Sequence, residues 1–210
     1  VSESTVVRFA IELGFSGYPK LQKSLQELIK NKLTTVQRLE LSSDYITEGH
    51  ALKGVLKADM ENIRSTMEKM DYNTFEDVVN NIFAAKRIYI IGLRSSMALA
   101  EFLGFYLNII LQNVKTVGYG ISDIFEQMIN VGEGDLVIGI GFPRYASRTI
   151  DALAFAQDRG ATVVAVTDSF LSPLAARADY SLIAQSNMAS FVDSLVAPLS
   201  VINALIIAVG

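Results

Sequence analysis

The spacing of apolar positions changes character along the chain. Near the start, Val6, Phe9, Ala10 and Leu13 recur at i, i+3, i+4 and i+7, the repeat of one helical face, with Ser2 placed to cap it. "GFSGY" interrupts this helix. Pro19 suits the first turn of a second one, with Leu21, Leu25, Leu28 and Ile29 on one face. Leu52, Leu56, Met60, Ile63, Met67 and Met70 then step by three or four and predict a long third helix. Phe75, Val78, Val79 and Ile82 predict a fourth.

From Lys86 onward the repeat shortens. The β-branched runs "RIYII", "VKTV", "DLVIGI", "TVVAV" and "YSLIA" read as strands. Helices fit between most of them, at about 95–112, 144–158 and 189–209, with a shorter one in "SDIFEQMI". Strands separated by helices need crossover connections, so the pattern predicts the α/β class: a mostly parallel sheet covered on both faces. The boundary falls near Asp71–Asn73. Residues 1–38 form a helical head, 39–72 a helical bridge and 73–210 the α/β domain. The last run, "FVDSLVAPLSVINALIIAVG", is the most apolar. Asp193, Ser194, Pro198, Ser200 and Asn203 interrupt it, which favours a buried helix over a membrane span.

Composition narrows the chemistry. Half of the 210 residues are apolar and mean hydropathy is positive, enough for a sizeable core. The chain has no Cys, which excludes disulfides and thiolate metal sites and fits a cytoplasmic location. His50 is the single histidine. No metal site and no cofactor is expected. Net charge is −4, unevenly spread: residues 1–38 carry six cations against three carboxylates, +3, which leaves −7 on the remainder. A basic head on an acidic body points to the head as the part that would meet a polyanion.

In an open parallel sheet, ligands bind beyond the carboxyl ends of the strands. Two loops lie there: "GLRSSMA", Gly92 to Ala98, after the first strand, and "GFPRYASRT", Gly141 to Thr149, after the third. Each leads into a helix, whose free N–H groups and positive dipole end favour phosphate. Ser95 and Ser96 add hydroxyls. Arg94, Arg144 and Arg148 add charge suited to bidentate phosphate binding. The alternative is that Ser95 only caps a helix and the arginines are surface charges.

These segments carry a resemblance. From Lys86 to its end the chain resembles a SIS domain, the sugar isomerase fold that binds phosphosugars. The stretch "VSESTVVRFAIELGFSGYPKLQKSL" resembles the reading helix, and the helix after it, in the helix-turn-helix of RpiR-family bacterial transcriptional regulators. "GFPRYASRTIDAL" and "FVDSLVAPLSVINAL" look like that family's versions of SIS segments. The resemblance implies a five-stranded parallel sheet of order 2-1-3-4-5 flanked by helices, preceded by an all-α partial helix-turn-helix and bridge. It also implies a homodimer, with a tetramer as the larger alternative, whose SIS domain senses a phosphorylated sugar and adjusts binding to operator DNA. The family's first helices would precede Val1, and the SIS domain would continue past Gly210. Glu3, Ser4, Thr5 and Arg8 would face DNA, opposite Val6, Phe9, Ala10 and Leu13.

The second loop departs from the family pattern. Where Ser-x-Ser-Gly-x-Thr is usual, this chain has Gly141-Phe142-Pro143-Arg144-Tyr145-Ala146, with Ser147 and Thr149 one turn later. In the first loop, Arg94 stands where a small Gly is common. The candidate ligand set is therefore Arg94, Ser95, Ser96, Arg144, Tyr145, Ser147 and Thr149. The competing readings are a SIS-type sugar-phosphate isomerase or lyase, and a dimerisation scaffold without a ligand. An enzyme needs a base near the substrate carbon. His50 lies in the bridge, and Glu126 and Glu133 are the nearest carboxylates, so no catalytic residue and no enzymatic activity is expected.

Overall fold

The strands β1 (Ile88–Gly92) and β3 (Leu136–Ile140) are buried at every position. That is what continuous apolar runs produce when both faces of a sheet are covered. The computed structural model describes residues 3–22, 25, 37, 51–120, 122–188 and 192–210. Ser2, Leu28, Ile29 and His50 lie outside them. With β2 (Val114–Val117), β4 (Thr162–Thr167) and β5 (Tyr180–Ile183), the two strands form one parallel five-stranded sheet of order 2-1-3-4-5. Ile88 pairs with Val114 on one side and Leu136 on the other; Leu136 pairs with Thr162, and Val164 with Tyr180. The order reverses between β1 and β3, which opens a crevice at their carboxyl ends.

Strand periodicity sorts the core into two layers. Ile88, Ile90, Ile138 and Val164 pack with Val78 and Ile82 of α3 (Tyr72–Ala84), Leu103 and Leu107 of α4 (Ser96–Ile110), and Ile202 and Leu205 of α7 (Val196–Val209). Tyr89, Ile91, Val137 and Val163 face the other way. They meet Ile124 of α5 (Ile124–Gln127), Met128, and Leu153 of α6 (Ser147–Asp158). At the amino ends of the strands, Arg87 holds the buried Asp135 carboxylate at 2.7 and 3.0 Å and ties β1 to β3. Asp71 caps α3, accepting from the Asn73 amide and the Thr74 hydroxyl. The hydroxyl bond, then the amide bond, hold its carboxyl below the usual range.

Two helices start later than their apolar periodicity predicts. The expected helix 144–158 begins at Ser147: Pro143 and a left-handed Arg144 (φ 68°) precede it, and Ala146 is extended. The expected helix 189–209 begins at Val196. Asp193 and Ser194 make tertiary bonds instead of continuing a helix, and the Ser194 hydroxyl accepts from the Val196 amide. Among the described residues, no helix is long and apolar enough to cross a membrane.

The chain divides into two compact units, Val1–Thr47 and Glu48–Gly210. In the first, α1 (Glu3–Glu12) ends at Gly14, whose φ of +83° suits a residue without a Cβ. Residues 18–22 are helical, so Pro19 does sit in a first turn. Within the expected apolar face of α1, Ala10 is buried, while Phe9 and Leu13 are more than half exposed. The i, i+3, i+4 pattern specified the helix without specifying a cover for its largest side chains.

In the second unit, α2 (Ala51–Lys69) carries the predicted Leu and Met stripe, but Leu52, Leu56, Met60, Ile63 and Met67 are exposed. Its buried positions are polar: Asn62 and Thr66.

Candidate functional site

At the carboxyl end of the sheet, the loops after β1 and β3 meet through Arg94, whose Nη1 donates to the Arg144 carbonyl at 3.3 Å. Arg94 (φ 59°) and Arg144 (φ 68°) are the positive-φ residues other than glycine among those described. Side chains with a Cβ resist that backbone region at a cost of about 1–2 kcal/mol. Both occupy positions where the family pattern has glycine. Each loop thus carries a guanidinium-bearing residue in a backbone region that favours glycine.

Close packing explains a further departure. A Cβ at Gly141 would lie 2.7 Å from Leu174 Cδ2. The space a serine side chain would need is filled by an apolar neighbour. At the end of β1, a Cβ on Gly92 would lie 2.6 Å from the Ser96 carbonyl oxygen. Glycine there lets α4 begin directly against the strand.

The remaining candidates divide. Ser95 is exposed and makes no side-chain cap bond to α4, whereas Ser96 is buried in that helix's first turn. Ser147 is exposed at the start of α6. Thr149 is enclosed, and its hydroxyl has no hydrogen-bond partner. Tyr145 turns toward β4: its hydroxyl donates to Asp168 Oδ1 at 2.7 Å, and Thr167 donates to the same oxygen at 3.2 Å. Burial, then the Asp168 carboxylate, push the phenol far above its ordinary pKa, so it remains a donor. Arg148 pairs with Asp123 at 2.8 Å, an exposed contact beside the α5 cap.

The expected set omitted the residues that hold the loops. Arg144 Nη2 bonds Asp193 Oδ2 at 2.9 Å, with only 23% and 10% of the two side chains exposed. Gln185 Nε2 donates to the Asp168 carbonyl at 3.3 Å. The available signal was a lone acidic residue in the apolar run "FVDSL", which periodicity assigned to a helix.

On the DNA-facing candidates, Glu3 opens α1, and Ser4, Thr5 and Arg8 are exposed along it. Glu126 accepts from the Asp123 amide at 3.0 Å and completes a capping box, while Glu133 lies in a turn. Among the described residues, no three of His, Cys, Asp or Glu are grouped to hold a metal ion. A separate groove of about 240 Å³ runs between α2, α3 and α7, lined mainly by apolar side chains including Ile63, Met67, Met70, Phe75 and Val201. It lacks the charged donors that a phosphate needs.

A doubly wound sheet of order 2-1-3-4-5, with its candidate loops at the switch point, defines the class: the chain belongs to the SIS domain family, whose model matches residues 81–208. It is 31% identical over 188 residues to an HTH-type transcriptional regulator of Haemophilus influenzae, covering 87% of this chain and 64% of that protein. It is also 31% identical to the sugar isomerase domain of an RpiR transcription factor from Sphaerobacter thermophilus, with a TM-score of 0.73 over 76% of this chain and 89% of that one. The Vibrio vulnificus NanR protein, solved in complex with ManNAc-6P, shares the fold at 20% identity, with a TM-score of 0.62, 100% of this chain and 74% of that one. The SIS domain is therefore of the kind carried by RpiR-family regulators. The chain spans slightly under two thirds of the length of the first regulators it matches, 64% and 65%.

Proposed function

We propose that this chain is the sensing part of a cytoplasmic DNA-binding transcriptional regulator of sugar metabolism, and that its SIS domain takes a phosphorylated sugar or related anion. The observation that carries the reading is the pair of left-handed arginines, Arg94 and Arg144, on two touching loops at the switch point. A backbone strained at two positions to present charge is the mark of a binding site more than of a fold requirement. The Arg94 guanidinium is exposed, and Ser95 and Ser147 stand exposed at two adjoining helix starts. Arg144, Tyr145 and the buried Ser96 and Thr149 complete the proposed set.

Residues 1–38 are assigned to the DNA-binding end, with Glu3, Ser4, Thr5 and Arg8 toward operator DNA, residues 39–72 to the bridge and 73–210 to the sensor. The exposed stripe on α2 supports a homodimer, since large apolar patches mark interfaces. The role is binding without turnover: Glu126 is engaged in a helix cap, and the carboxylates that meet the loops, Asp168 and Asp193, are engaged by Tyr145 and Arg144.

A thermal-shift screen with sugar phosphates, each also assayed for conversion, tests the reading. Saturable stabilisation without conversion is expected. Conversion would make the protein an isomerase or lyase, and no response across the panel would make it a scaffold. Removing one charged hydrogen bond typically costs about 1.5–3 kcal/mol, so Arg94→Ala should weaken the best ligand about tenfold to a hundredfold in titration calorimetry. Unchanged affinity would return Arg94 to the status of a surface charge.

A further inference from the structure

The segment from Ala184 to Leu195 joins β5 to α7, and its described residues are bonded on two sides. Toward the candidate site, the Asp193 carboxylate holds Arg144 and the Gln185 side chain holds the Asp168 carbonyl. Toward α2, the Ser194 hydroxyl donates to Asp59 Oδ1 at 2.6 Å, the Gln185 amide donates to Thr66 Oγ1 at 2.8 Å, and Asn62 Nδ2 donates to the Asn187 carbonyl at 2.9 Å. Asp59, Asn62 and Thr66 fall on one face of that helix. Ion pair and helix contact are adjacent residues: Asp193 meets the site, and Ser194 meets α2.

We propose that Asp193 is a resident carboxylate competitor, which holds Arg144 until a phosphoryl group displaces it, and that α2 feels the displacement through Ser194. The proposal rests on the reading of the two loops as an anion site. In an ion pair this shielded, taking one partner away leaves the other charge uncompensated, so Arg144 gives up Asp193 only to another anion. A neutral sugar offers nothing in exchange for the carboxylate. A phosphoryl dianion offers Arg144 more negative charge than Asp193 does, and bidentate geometry as well. Asp193 would then be a specificity determinant: it raises the charge that an entering ligand must carry. Freed from Arg144, Asp193 no longer fixes Ser194, whose bond to Asp59 loosens or re-forms elsewhere along α2. A ligand that binds the paired and displaced arrangements of Asp193 unequally therefore also biases α2.

The test uses the intact chain, titrated with inorganic phosphate, glucose 6-phosphate and glucose. Asp193→Asn keeps the shape and removes the competing charge. Both phosphates should bind it about tenfold or more tightly than wild type, and glucose should bind neither form. Its thermal midpoint should be lower than wild type without phosphate and should rise further with it. Ser194→Ala keeps the carboxylate but frees its anchor, and should tighten phosphate binding by a smaller factor, about fivefold. It also serves if Asp193→Asn does not fold. Affinity in either folded variant equal to or weaker than wild type overturns the proposal. The anion-site reading survives that result if Arg94→Ala still weakens binding. If no form binds either phosphate, both fall together.

Discussion

Helices α2 and α3 follow one another in the chain and are both amphipathic in sequence, yet they bury opposite kinds of face. Val78 and Ile82 of α3 sit in the main core, where α3 packs on β5 and α7. On α2, Met60 is 70% exposed while Asn62 is 2% exposed. The difference lies in what each helix meets. α3 lies against an apolar sheet face, where area removed from water sets the orientation. α2 lies against α7 and against the residues just after β5, where the Gln185 N–H and the Asn187 C=O are satisfied by Thr66 and Asn62. Burying the backbone groups of an irregular segment without partners costs more than leaving a Met stripe in water.

Three substitutions test this contrast. The largest effect is expected from Ile82→Ala, which opens a cavity at a fully enclosed position and should cost about 2–5 kcal/mol in denaturant unfolding. Thr66→Val removes the acceptor for the Gln185 amide and should cost about 1–3 kcal/mol, despite being nearly isosteric. A gain in stability there would mean that α2 prefers apolar contact after all. Met60→Gln should change the stability of the isolated chain by less than about 0.5 kcal/mol, while shifting light scattering toward the monomer if the stripe joins two copies. A cost comparable to that of Ile82→Ala would show that the stripe is already covered.

Much of the architecture was legible because one rule governs it. Short β-branched runs such as "IYII" and "LVIGI" read as strands buried on both faces, and the helices between them imply parallel crossovers. The two candidate loops were legible for the same reason, as strand ends that lead into helices. What escaped were features set by tertiary partners. Periodicity carried α7 back to 189 and α6 back to 144, because apolar spacing does not register that Asp193 has an arginine to reach or that Arg144 takes a left-handed φ. The left-handed arginines were visible only as residues standing where glycine is usual, a signal of backbone shape that propensity alone does not weigh. The stripe on α2 was read correctly as a helix face. Its cover is a matter of surroundings that one helix's sequence does not encode.

Two strained arginine loops at the switch point form the proposed anion site. The most direct measurement is a crystal structure of the chain with a stabilising sugar phosphate bound. Phosphoryl density is expected at the carboxyl ends of β1 and β3, within about 2.7–3.2 Å of guanidinium nitrogens of Arg94 and Arg144, with the Asp193 carboxylate moved off Arg144. Density in the apolar groove between α2, α3 and α7, or a phosphate at the switch point that touches neither arginine, would contradict it.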